Sequence, residues 1–158
     1  CLVQVFRLTT RKYAHKLDGV GASFSYNRWN SKGTPMIYTA ESRALAMAEV
    51  VVHLSAASLP RDFVMLTINI PPEAEFMNLD PDQLSPNWNT FPHGLETQKI
   101  GDKFIRSGEA LAMKVPSAVV RGDFNILINP LHSGINEVRV AEVEDFPMDD
   151  RFFQSSSK

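Results

Sequence analysis

Residues 42–55 predict a helix that is apolar on almost every side, so other elements of the protein must cover it. Ser42 is a suitable N-cap, the run from Ala44 to Ala48 consists mostly of good helix formers, and Pro60 closes the segment. A helix with so little polar surface is typical of a buried position. We therefore expect this helix to pack inside the protein.

Short apolar runs elsewhere in the chain predict about six strands, and the pattern at 96–107 predicts a second main helix. Strands and helices do not alternate strictly. This order favours an α+β fold with a mixed sheet over a doubly wound α/β sheet. The predicted strands are 2–8, 35–40, 63–70, 111–115 with 119–120 beyond a break at Pro116, 124–128 and 138–143.

Two long segments lack a regular pattern. Residues 9–33 carry Gly19, Gly21 and Gly33 among many polar residues, and residues 80–92 contain three prolines. Long irregular loops in a compact domain are usually functional. A chain of 158 residues suits one domain, which we place at 1–154, followed by a disordered polar tail at 155–158.

Composition argues against several classes of function. The net charge is -2 and no run of Lys or Arg occurs, which disfavours direct binding of nucleic acid. The single cysteine, Cys1, cannot form an internal disulfide, and no apolar run approaches the ~20 residues of a membrane span. We expect a cytoplasmic protein. No Rossmann or P-loop motif is present, and the histidine spacing does not suggest a metal site.

Glu49 is the most informative polar residue of the first helix. At ~100° per residue, Ser42, Glu49 and His53 form a narrow polar line, flanked by Ala46 and Ala56. This line is either the solvent face of the helix or the lining of a cleft. The helix pattern leaves both interpretations open.

Three further residues carry candidate chemistry, each with a plain structural alternative. Arg28, in the long loop, could bind phosphate through its planar guanidinium or lie on the surface. Tyr38 could stack on a flat ring or belong to the core. Ser117, after the strand break at Pro116, could hydrogen-bond a ligand or simply complete a turn.

Taken together, these pieces resemble the RES domain, a toxin family named for its Arg, Glu and Ser. The resemblance covers nearly the whole chain, and its motifs occur in order. They are Phe6-Arg7-Leu8, Arg28-Trp29-Asn30 with Gly33, Tyr38-Thr39-Ala40, residues 46–49, Val52-His53-Leu54, Gly101-Asp102-Lys103-Phe104, Val115-Pro116-Ser117, and residues 125–130 with His132.

The resemblance implies a compact fold similar to ADP-ribosyltransferases, with NAD as substrate and neither a metal nor a resident cofactor. It also implies a partner, an Xre-type helix-turn-helix antitoxin that covers the active site, and leaves a homodimer open. Carried over residue by residue, the catalytic set is Arg28, Tyr38, Glu49 and Ser117, and the substrate-binding set is Arg7, Arg28, Trp29, Tyr38 and Asn129.

The chemistry of NAD cleavage agrees with this assignment. Breaking the nicotinamide–ribose bond builds positive charge on the sugar, so a fixed carboxylate such as Glu49 would stabilise the transition state. The acceptor could be water, phosphate or a protein side chain, which gives hydrolysis, phosphorolysis or mono-ADP-ribosylation. A non-catalytic module that binds a nucleotide or the antitoxin is the alternative from another class.

Overall fold

The computed structural model describes residues 2–55, 57 and 59–153. Its centre is one seven-stranded mixed sheet in the order β4-β5-β6-β2-β1-β3-β7. The β4–β5 pair is parallel and the other pairs are antiparallel. The strands are β1 (Val3–Thr10), β2 (Ile37–Ala40), β3 (Phe63–Ile70), β4 (Phe76–Asn78), β5 (Ala112–Pro116), β6 (Phe124–Ile128) and β7 (Arg139–Asp145).

In the described part of the chain, three α-helices accompany the sheet: α1 (Val20–Ser23), α2 (Arg43–Val51) and α3 (Leu95–Ser107). The hydroxyl of Ser42 caps α2 by accepting a hydrogen bond from the backbone N–H of Leu45. Gly108, with φ of 61°, ends α3 in the left-handed conformation that glycine adopts without strain. No helix of the described residues is long and apolar enough to cross a membrane.

The two main helices cover the same face of the sheet. Residues of α2 pack on Phe6, Leu8 and Met65, whereas residues of α3 pack on Met113 and Leu127. The side chains of the adjacent residues on each strand point to the opposite face of the sheet, where they form a separate core. That core includes Val5, Val64, Leu66, Ile68, Ala112, Ile126 and Ile128.

The sheet opens between two of its central strands. β1 and β3 are joined along Val3 to Thr10, but β1 meets β2 only at the pair Phe6 and Ala40. Past this pair the two strands diverge, and both faces of each strand border the gap. The opening lies between the residues that pack against α2 and those that pack against α3.

The predicted α+β architecture with a mixed sheet is confirmed, and six of the seven strands were predicted. The missed strand is β4, which has three residues and is too short to show an alternating pattern. The prediction of strand at 119–120 was wrong: Pro116 is the last residue of β5, and a turn follows. Within the irregular 9–33 segment, α1 forms a single helical turn.

The first predicted helix is shorter and less buried than its sequence indicates. It ends at Val51, and only Leu45 and Ala46 are fully buried. Met47, Ala48, Val50 and Val51 are half-buried and Ala44 is exposed. The predictions that involve Cys1, Ala56 and the residues from 154 onward lie outside the described residues.

Candidate active site

A cavity of about 660 Å³ occupies the opening in the sheet. This is within the range of pockets that hold small-molecule ligands. Three consecutive residues of β1 and three of β2 line it, as expected where two strands separate. The lining includes Phe6, Arg7, Leu8, Arg28, Trp29, Tyr38, Thr39, Ala40, Ala46, Glu49, His53, Asn89, Phe91, His93 and Asn125.

The Glu49 side chain faces this cavity rather than the outer surface of α2. Its Oε1 accepts a hydrogen bond of 2.8 Å from the hydroxyl of Ser117. That hydroxyl is buried and also accepts hydrogen bonds from the backbone N–H groups of Val119 and Val120. The turn after β5 therefore fixes the serine, and the serine orients the carboxylate.

This contact changes the expected role of Ser117. The residue was predicted to hydrogen-bond a ligand, but it does not line the cavity and its donor is committed to Glu49. The structure therefore places Ser117 behind the Glu49 carboxylate and outside the cavity lining.

Arg28 lines the cavity, and its guanidinium also anchors a neighbouring loop. One NH2 group donates to the carbonyl of Trp88 (2.9 Å) and the other to the carbonyl of Thr90 (3.0 Å). Burial lowers the pKa of Arg28, while the nearby carboxylate of Glu49 opposes this shift. A guanidinium has five N–H donors, so donors remain for a ligand.

A second arginine, Arg7, lies in the gap between β1 and β2. Its Nη1 donates to the carbonyl of Tyr38, 3.3 Å away. Burial lowers the pKa of Arg7, and the charge of Asp18 opposes this effect. Two guanidinium groups thus border one cavity. The four ion pairs in the described part of the chain all involve other arginines or a lysine, so neither guanidinium is paired with Glu49.

Tyr38 presents its ring to the cavity but commits its hydroxyl elsewhere. The hydroxyl donates to Oδ1 of Asn30 (2.6 Å) and accepts from the backbone N–H of Trp29 (3.2 Å). Burial raises the pKa of Tyr38 far above its ordinary value. The phenol therefore stays protonated, and the residue can offer a flat surface but not a base.

Helix α3 holds the loop that carries Arg28. Gly101 approaches the Trp29 carbonyl so closely that an added Cβ would lie 1.6 Å from its oxygen. The Asp102 carboxylate accepts hydrogen bonds from the backbone N–H and the hydroxyl of Ser31. Gln98 donates to the Asn27 carbonyl (2.9 Å). These contacts with α3 therefore fix the residues that precede and follow Arg28 in the chain.

Asn129, predicted to bind substrate, is placed away from the cavity. It is fully buried, its Nδ2 donates to the Ile105 carbonyl (3.1 Å), and its Oδ1 accepts from the Leu131 N–H. The side chain ties the end of β6 to α3. Asn129 therefore does not join the predicted residues that line the cavity.

Several lining residues lie outside the predicted site set, among them Asn89, Phe91, His93 and Asn125. Asn89 and Phe91 lie between the last two prolines of the 80–92 segment and His93 follows it, where no periodic pattern identifies a functional position. Asn125 begins β6, and its amide donates to the Thr39 carbonyl across the sheet. Within the described residues, no cluster of three or more His, Cys, Asp or Glu side chains could hold a metal ion.

Replacing Ser117 with alanine is expected to lower catalytic turnover about tenfold, because Glu49 loses the donor that orients it. The Michaelis constant for the substrate should change little, since Ser117 does not line the cavity. Steady-state kinetics with Ser107→Ala as the control, at the end of α3, measures the effect. A rise in the Michaelis constant at unchanged turnover would show that Ser117 instead contacts substrate.

Comparisons with known proteins identify the family of this chain. The profile of the RES domain matches residues 4–149. A protein of Photorhabdus laumondii named Toxin Res is 35% identical and covers 96% of this chain and 97% of its own length. The Prs ADP-ribosylating toxin of a Sphingobium species is 32% identical over 90% of both chains.

The fold has a counterpart among solved structures. The M. tuberculosis MbcT–MbcA toxin–antitoxin complex contains a chain that matches with a TM-score of 0.73 and 20% identity, covering 93% of this chain and 85% of that one. At this identity the likeness concerns the fold. Together with the profile and the relatives, it defines the class: this chain belongs to the RES-domain toxin family.

Proposed function

We propose that this protein is the toxin of a toxin–antitoxin pair and that it depletes NAD by cleaving the bond between nicotinamide and ribose. The observation that carries the proposal is the Glu49 carboxylate, which Ser117 holds inside a cavity bordered by two unpaired guanidinium groups. This combination of charges suits a dinucleotide that carries an anionic pyrophosphate and a ribose that becomes cationic during the reaction.

The reaction needs one bond to break and one to form. The C1′–N1 bond breaks, its electron pair moves to the nicotinamide ring, and the ring leaves as a neutral molecule. Positive charge builds on the ribose, where Glu49 would stabilise it. An acceptor oxygen or nitrogen then bonds to C1′ and releases its proton to solvent.

The size of the electrostatic effect is sufficient for catalysis. At ~4 Å and an effective dielectric constant of ~20, a pair of unit charges interacts by about 4 kcal/mol. That free energy corresponds to on the order of a thousandfold in rate. Arg7 and Arg28 would neutralise the pyrophosphate, and the ring of Tyr38 would pack on the nicotinamide or its ribose.

Mono-ADP-ribosylation of a cellular protein is the second candidate. It is supported by the name of the Sphingobium relative, an ADP-ribosylating toxin. The same cavity and the same cation serve both reactions, and only the acceptor differs.

We also propose that the partner is an Xre-type helix-turn-helix antitoxin that covers this cavity. Support comes from the complex in which the structural relative was solved. Several exposed apolar side chains, including Val52, Phe91 and Val119, line the cavity and would be covered by such a partner.

Product analysis tests the reaction. The purified protein is incubated with NAD alone, with NAD and inorganic phosphate, and with labelled NAD and cell extract. Hydrolysis yields nicotinamide and ADP-ribose, phosphorolysis yields ADP-ribose 1″-phosphate, and transfer labels a protein. NAD that stays intact in all three mixtures, with a folded toxin, would contradict the proposed function.

A further inference from the structure

Phe91 is the most exposed of the large apolar residues that line the cavity. Its side chain lines the cavity, yet 77% of the residue is exposed to solvent. Among the described residues, its ring has one aromatic neighbour, the His93 ring, at 6.4 Å in an edge-on arrangement. An edge contact of this kind leaves the ring free to stack on another flat group.

Arg28 links this phenylalanine to the carboxylate end of the cavity. Its guanidinium binds the carbonyls of Trp88 and Thr90, and Phe91 is the next residue along the chain. The same guanidinium lies close enough to Glu49 for the two charges to interact. Glu49, Arg28 and Phe91 therefore line one cavity, with Arg28 bound to the backbone of the segment that carries Phe91.

NAD carries its groups in the order nicotinamide ribose, pyrophosphate, adenosine. With the reacting ribose at Glu49 and the pyrophosphate at Arg28, the adenine ring extends toward the 88–93 segment. Stacking on an aromatic side chain is a common way for proteins to hold a base without reading its edge.

We propose that Phe91 is the platform on which the adenine ring of the dinucleotide stacks, so that this residue determines the preference for a dinucleotide over a mononucleotide. The inference rests on the proposed cleavage of NAD. It goes beyond that reaction because it assigns the adenine end of the substrate to a residue outside the predicted set.

The test compares NAD with nicotinamide mononucleotide, which contains the same scissile bond but no adenylate. Phe91→Ala is expected to lower kcat/KM for NAD on the order of tenfold, as loss of one stacked base predicts. The value for the mononucleotide should not change, and Phe91→Trp should retain the preference for NAD. Phe24→Ala is the matched control, because Phe24 is 72% exposed and does not line the cavity.

Equal losses with both substrates, or no loss with either, would overturn the proposal. Calorimetric binding of adenosine monophosphate to the wild type and to Phe91→Ala separates this result from failure of the proposed function. If no nicotinamide is released but adenosine monophosphate binds at least fivefold more weakly to the variant, adenine stacking on Phe91 is supported and the proposed NAD cleavage is rejected. Equal affinity for the two proteins would reject the platform.

Discussion

Glu49→Gln is expected to lower the rate of NAD cleavage on the order of a thousandfold while the protein stays folded. The substitution removes the charge that would stabilise the ribose cation. It keeps the side-chain length and an oxygen that can accept the hydrogen bond from Ser117. The loss should therefore appear in kcat, with a much smaller change in the Michaelis constant.

Nicotinamide release, measured by chromatography over a range of NAD concentrations, gives both constants. Glu73→Gln is the control, since Glu73 is exposed and lies outside the cavity lining. Thermal unfolding of each variant reports the fold. Near-normal turnover by folded Glu49→Gln would remove the carboxylate from the mechanism.

Gly101→Ala should be the most destabilising single-methyl change in the α3 contact with the Arg28 loop. The new Cβ would meet backbone atoms of Trp29, with its oxygen at 1.6 Å and its carbonyl carbon at 2.7 Å. Backbone atoms cannot relieve the clash by a change of rotamer, as a side chain can, so either α3 or the loop must move. We expect a loss of about 3 kcal/mol or more in the free energy of unfolding.

The same shift should impair activity, because it displaces Arg28 from the cavity. Urea unfolding measures the stability, and the NAD assay measures the activity. Gly94→Ala, at the N-terminus of the same helix, is the control: nothing lies within 4 Å of its added Cβ, and its cost should be below about 1 kcal/mol. Comparable unfolding midpoints for both variants would show that α3 and the loop adapt freely.

Much of the fold follows from local patterns that the sequence displays. β3 and β6 begin and end where their apolar runs do, and the Ser42 cap lies where a hydroxyl precedes good helix formers. The three-residue strand β4 could not be predicted because its pairing with β5 depends on tertiary contacts. The opening between β1 and β2 could not be predicted for the same reason. An alternating strand pattern does not indicate where two neighbouring strands stop pairing.

The residues of the candidate site likewise include some that the sequence indicates and some that it does not. Glu49 could be singled out because a carboxylate on an apolar helix is unusual, and Arg28 because it lies in a long glycine-containing loop. The contribution of Phe91 and His93 could not be found in this way, since their segment enters the cavity through hydrogen bonds from Arg28 to backbone carbonyls. Every residue has a backbone carbonyl, so the sequence does not indicate which carbonyls accept these hydrogen bonds. Asn129 was predicted to bind substrate because the resemblance includes it, but its side-chain amide donates a hydrogen bond to the Ile105 carbonyl in α3.

A crystal structure of Glu49→Gln with NAD bound tests the central claim most directly. We expect the nicotinamide ribose beside the residue 49 side chain, the pyrophosphate at the guanidinium groups of Arg7 and Arg28, and the adenine on Phe91. A dinucleotide bound outside the gap between β1 and β2, or one whose nicotinamide ribose lies far from residue 49, would contradict the account.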